Sequence, residues 1–276
     1  MSFPAPALLF FALAQMIWTP AGASLSASDP LDLGYRQMYN LQFREAHATI
    51  HAYEQSHPDD PFGPTSDAAA FLFDEFDRLD VLQTELFVDD QLFKQRKRPD
   101  ADPVIHEAFE QDLARSNREA DAILQRSAND RNALLAKVFD LGLEADYLSM
   151  IEKRNLEALH YTKSGGLLAE KLLAIAPDCY DAYLAVGVEN YLLGLRPAPE
   201  RWMFRLYGAE ADKDRGIRTL ELTAEKGHYL LPFAQLLLAV AALRDNDPNR
   251  AKELLRNLAK EFPDNPLYQK ELARLP

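Results

Sequence analysis

A set of spacings near the start of this 276-residue chain recurs in register near its end. Leu33, Gly34, Ala46, Ile50, Tyr53 and Pro58 are separated as are Leu238, Ala239, Ala251, Leu255, Leu258 and Pro263. The segments that close the two stretches also match, His57-Pro58-Asp59-Asp60-Pro61 against Phe262-Pro263-Asp264-Asn265-Pro266. Apolar residues three and four apart mark one face of a helix. A small residue in the second helix lets the two helices approach closely, and the proline ends the hairpin because it cannot donate the next backbone hydrogen bond. A single hairpin of this kind cannot bury its own apolar face, so the chain must stack such units on one another.

The pattern resembles the tetratricopeptide repeat, a helix–turn–helix module of about 34 residues. It is good over the first unit, the 180–194 helix and the last unit, and degenerate over 64–176. The resemblance implies an all-α, right-handed superhelical solenoid whose concave groove binds other proteins. The C-terminal half also resembles exported bacterial repeat proteins with a similar insertion. More distantly it resembles a eukaryotic tetratricopeptide family linked to mitochondrial outer-membrane and inclusion-clearance roles. Gly187, Asn190, Tyr191, Gly194, Trp202, Phe204, Tyr207-Gly208, Asp214-Arg215-Gly216 and Leu220 carry that likeness. It implies a scaffold or adaptor and supplies no catalytic residues.

Composition agrees: 47% of residues are hydrophobic and only 11 are glycine, while strong helix formers abound. Ala7 to Trp18 form an apolar run broken only by Gln15, followed by Pro20 and Ala21-Gly22-Ala23. The run is shorter than the roughly 20 apolar residues of a membrane span. It reads as a secretory signal over 1–23, cleaved after Ala23, although its leading residues carry no Lys or Arg. The expected products are a periplasmic or secreted chain with a lead-in over 24–30 and a solenoid over 31–276. Cys179 is the one cysteine, so no intrachain disulfide forms, and it reads as a small packing residue. A net charge of −13 argues against nucleic acid and against simple electrostatic docking on anionic lipid.

Along the chain, hairpin helices are expected over 31–57, with a less regular pair over 64–95 whose start is Pro64-Thr65-Ser66-Asp67. A long helix over 103–128 and helices over 131–149 and 151–176 follow. Ser164-Gly165-Gly166 reads as either a kink or a close packing point. A second helix resumes near Gly216 after an insertion over 195–213. An apolar helix over 230–243 is too short for a membrane span, and the last residues form a polar capping helix. The basic cluster Lys94 to Arg98 reads as a solvated helix end.

No phosphate loop, nucleophile elbow or zinc-protease motif is present. His47 and His51 share a helix face at i, i+4 spacing, but no catalytic Glu lies between them, and the repeat register puts both on a solvated outer side. Glu54–His57 and Glu157–His160 have the spacing of di-iron bundles, yet His57 abuts the helix-ending Pro58. No metal, cofactor or catalytic residue is therefore expected.

Two surfaces are candidate partner sites. In the repeat register Tyr35, Met38, Asp181, Leu184, Val188 and Tyr191 face the concave groove, where aromatic rings and carboxylates can hold a helix or an extended basic segment. The competing expectation is that they pack against neighbouring helices. In the insertion, Trp202, Phe204 and Tyr207 lie in a stretch bracketed by Arg201 and Arg205. A short amphipathic helix there could be a lid, a partner site or a peripheral membrane contact. The sequence thus points to a non-catalytic scaffold binding a protein or peptide segment. A membrane-peripheral assembly factor, a helical metal protein or enzyme, and a purely structural module are the alternatives.

Overall fold

The computed structural model of the protein describes residues 25, 29–81, 97, 100–194 and 212–275. Over these the chain forms eleven α-helices and no strand. They are α1 (Pro30–Tyr39), α2 (Phe43–Ser56), α3 (Phe62–Arg78), α4 (Pro103–Arg126), α5 (Arg131–Tyr147), α6 (Asn155–Ile175), α7 (Ala182–Gly194), α8 (Lys213–Lys226), α9 (Leu231–Arg244), α10 (Pro248–Glu261) and α11 (Pro266–Arg274). A π-helical turn, Leu148–Glu152, follows α5 and ends at Lys153, whose φ of 61° is left-handed.

The helix starts are written in the sequence. Asp29, Asp102, Asp130, Asp212, Asp247 and Asn265 each accept a backbone N–H of the first turn that follows, satisfying donors that a helix leaves open. Pro30, Pro103, Pro232, Pro248 and Pro266 occupy first turns, where a missing N–H costs nothing.

The recurring register reappears in the backbone. Leu41, between α1 and α2, has φ 60°, and Asn246, between α9 and α10, has φ 58°. Asp60 accepts from the Phe62 N–H at 3.0 Å, as Asn265 accepts from the Leu267 N–H at 2.9 Å. The two ends are thus the same hairpin at the level of turns, although Leu41 bears a left-handed φ that Asn tolerates better.

Helices stack in hairpins, α1 on α2, α3 on α4, α5 on α6, α7 on α8 and α9 on α10. The first helices α1, α3, α5 and α7 also pack in succession, making an inner layer inside their partners. At the α7–α8 crossing a Cβ on Gly216 would lie 2.6 Å from the Tyr191 backbone nitrogen, and one on Gly187 would lie 2.8 Å from Leu220 Cγ. These glycines are required by close approach. Ser164-Gly165-Gly166 does not break α6: both glycines are buried in a continuous helix, and Gly166 meets Glu189 of α7.

The inner layer is filled by aromatic side chains of the chain itself. Phe62 packs edge-on to Phe139 at 5.5 Å and against Tyr229 at 5.6 Å, while Tyr39 meets Phe73 at 6.2 Å and Phe262 at 5.3 Å. Polar bonds extend this junction between the two ends. Tyr39 donates its hydroxyl to the Tyr229 carbonyl at 2.9 Å, the Asp264 N–H donates to Asn40 at 3.1 Å, and Asn265 donates to the Tyr39 carbonyl at 2.9 Å. The solenoid is closed on itself by side chains of its first and last hairpins. No described helix is long and apolar enough to cross a membrane.

Candidate functional site

The residues expected in the groove are drawn into this closure. Tyr35 and Met38 are each 2% exposed, and Asp181 and Tyr191 are also buried. Leu184 and Val188 are half-buried and pack on the same core. The expectation of an open concave face is corrected here, because the aromatic residues of α1, α3, α5 and the stretch leading into α9 occupy it. Asp181 accepts from the backbone N–H groups of His228, Tyr229 and Leu230 at 2.8, 3.1 and 3.1 Å. Its carboxylate shapes the turn that presents Tyr229 to the interior. Trp202, Phe204 and Tyr207, the insertion up to 211 and the 1–23 leader lie outside the described residues. Of the basic cluster only Lys97 is described, and it is exposed. Cys179 is buried, which pushes its thiol up, as a packing residue requires.

A cleft among the described residues lies elsewhere, on the side of the solenoid formed by α2, α3 and α4. It is an open cleft of about 580 Å³, within the size range of small-ligand sites. Three helical stripes converge on it. His51 and Glu54 line it at i, i+3 on α2, with His47 one turn before them against Asp67, Asp67 and Phe71 at i, i+4 on α3, and Asp112 and Arg115 at i, i+3 on α4.

Asp67 forms the floor, with its side chain 1% exposed. His47 Nδ1 lies 2.6 Å from Asp67 Oδ1, and His51 Nε2 lies 2.8 Å from Asp67 Oδ2. An ionised carboxylate only accepts, so each facing imidazole nitrogen donates its proton. The Phe71 ring packs on His47 with centroids 4.0 Å apart. Across the cleft Arg115 pairs with Glu54, and with Asp112 at 3.2 Å. Burial, the nearby charges of Asp67 and Glu54 and a hydrogen bond to Asp67 push the Asp112 carboxyl up to about 7, against the opposing pull of Arg115.

This cleft corrects the expectation that His47 faces solvent, its side chain being 16% exposed, whereas His51 is 55% exposed and faces solvent as expected. The i, i+4 signal was visible, but its partner Asp67 reads in sequence as part of a helix start. In the structure α3 begins earlier, at Phe62, which places Asp67 in the second turn facing α2. Among the described residues no group of three or more His, Cys, Asp or Glu is arranged to hold a metal ion. The imidazole nitrogens point at a carboxylate, so the arrangement orients Asp67.

Residues 232–275 match the family model described as tetratricopeptide repeat. The match spans α9, α10 and α11, the hairpin that repeats the register of α1 and α2. No curated protein matches the chain. Fold and match together define the class: an all-α, tetratricopeptide-like helical solenoid. Repeats of this class generally mediate protein–protein interaction and are typically non-catalytic.

Proposed function

We propose that this protein is a non-catalytic scaffold that holds a segment of a protein partner, and that the cleft between α2, α3 and α4 is where the segment docks. One observation carries the reading: the inner face of the solenoid is filled by the chain's own aromatic side chains, whereas a cavity of about 580 Å³ stands open beside α2 and α4. A rigid helical frame with charged groups oriented by second partners suits recognition of a segment without reorganisation. Export of the mature chain belongs to the same proposal, supported by the apolar run before Ala21-Gly22-Ala23.

The test is crosslinking and affinity capture of the mature chain from its own cells, beside an Ala114→Trp variant. Ala114 is exposed on the cleft wall, so the indole fills the cavity without entering the core. A stoichiometric protein recovered by the wild type and lost with Ala114→Trp is the expected result. Recovery of no specific protein contradicts the scaffold reading, and recovery by both forms contradicts the location.

A further inference from the structure

Two carboxyl groups meet across a helix seam at the base of the cleft. α2 packs on α3 and α3 on α4, whereas α2 and α4 face each other over the cleft. Asp67 of α3 is an ionised acceptor, taking the N–H of His47 at 2.6 Å and of His51 at 2.8 Å. Each imidazole holds that N–H whether neutral or protonated, so both bonds survive a change of pH. A carboxylate offers about four lone-pair positions, which leaves Asp67 room for a further donor. Asp112 of α4 makes a side-chain hydrogen bond with Asp67, and between two carboxyls that bond needs one proton. Asp67 already faces two donors, so the proton sits on Asp112. Asp112 also meets Arg115 at 3.2 Å, and Arg115 is the cation that bridges to Glu54 on α2. Further along α4, Arg118 is exposed on the cleft wall and Glu119 keeps one carboxylate oxygen buried without a hydrogen-bond partner. Asp74 of α3 acts on His47. When Asp112 ionises, two anions stand in contact across the α3–α4 seam, and Arg115 is drawn toward Asp112 and away from Glu54. The floor of the cleft and the bridge across it loosen together.

We propose that the Asp67–Asp112 contact is a proton-operated clasp: joined, it holds α4 against α3 and the cleft narrow; released, it lets α4 move out and the cleft widen. The docking site is thereby closed in mildly acid surroundings and open above neutral pH. As regulation of that site the clasp rests on the scaffold reading, although its motion needs no partner. Burial and the charge of Asp67 push the Asp112 carboxyl up to about 7, with Glu54 adding to the effect and Arg115 opposing it, which sets where the clasp releases.

The experiment is a pulsed electron-spin distance measurement between labels on Ala48→Cys of α2 and Ala122→Cys of α4, both exposed and outside the lining of the cleft, while the native Cys179 is buried. A distance that lengthens by about 1–2 Å from about pH 5 to about pH 8 is expected, the size of a helix shift at a packed interface. Asp112→Asn donates a carboxamide N–H to Asp67 at every pH, so the same labels are expected to keep the short distance throughout, with circular dichroism reporting that the variant is folded. The carbon-13 carboxyl resonance of Asp112 in the unsubstituted protein gives a second reading, expected to titrate near about 7 together with the distance. An unchanged distance, the same lengthening in Asp112→Asn, or an Asp112 resonance that titrates in the ordinary carboxylate range overturns the clasp. A partner lost with Ala114→Trp but captured equally at both pH values leaves the scaffold standing and removes the clasp as its regulator. A clasp that moves in a protein that captures no partner stands, and the scaffold reading falls.

Discussion

Tyr35 of α1 stacks on Tyr229, just before α9, with ring centroids 4.5 Å apart and planes inclined by 25°. The pair joins the first hairpin to the last across the interior of the solenoid. Close backbone packing of α1 is with α2 and α3, so its hold on the C-terminal hairpins comes from long side chains such as these. Tyr35→Ala is expected to destabilise the protein by about 3 kcal/mol, because a fully buried ring is lost. A double-mutant cycle with Tyr229→Ala should show a coupling of about 1 kcal/mol. Urea denaturation of the four forms measures both, and additive effects would place the two ends as independent units.

Asp140 lies buried beneath α3 and α4, accepting from Thr65 at 2.9 Å and from Ser116 at 2.7 Å. Asp140→Ala leaves both hydroxyls without that acceptor and opens a void, with an expected loss of about 2–4 kcal/mol. Asp140→Asn retains an acceptor and should lose less. Equal stability of Asp140→Ala and wild type by denaturation would show that the triad is not a structural link.

Gly216→Ala is predicted to destabilise by about 1–3 kcal/mol, because the added methyl meets the backbone of Tyr191 and cannot be accommodated by a rotamer change. Gly142, whose Cβ would meet nothing within 4 Å, is the control: Gly142→Ala should stabilise slightly through helix propensity. Thermal melts of both variants settle the contrast.

Burial pushes several carboxyls up to about 7, among them Asp112, Asp140, Glu144 and Glu189. For each the native form binds a proton that the unfolded chain has released, so stability falls as pH rises from about 4 to about 7. The melting temperature should therefore be higher at mildly acidic pH than at neutral pH. A melting temperature that rises steadily from pH 5 to about 8 would contradict the raised values.

Much of the fold was legible because hairpin stacking is specified locally. Ala46 and Ala251 are fully buried where the spacing requires a small residue, and the Asp, Asn and Pro residues at helix starts stand where capping chemistry needs them. The closure was not legible. It depends on which helices meet after the whole chain has stacked, and Tyr35 has the same sequence signature whether it faces a partner or Tyr229. The cleft was half legible. His47 and His51 share a helix face by spacing alone, but Asp67 and Asp112 lie 20 and 65 positions beyond His47, and only the packing of α3 and α4 unites them. Asp181 shows the converse, since a carboxylate that reads as a ligand for a basic segment is consumed by three backbone donors.

The central claim is that partners engage the outer cleft and not the filled interior. A photo-crosslinking residue placed at Ala114 and, separately, at Leu184 tests it directly in the protein's own cells. Adducts with one specific protein from position 114 and none from position 184 are the predicted result. Adducts from position 184 alone, or from neither, would contradict the account.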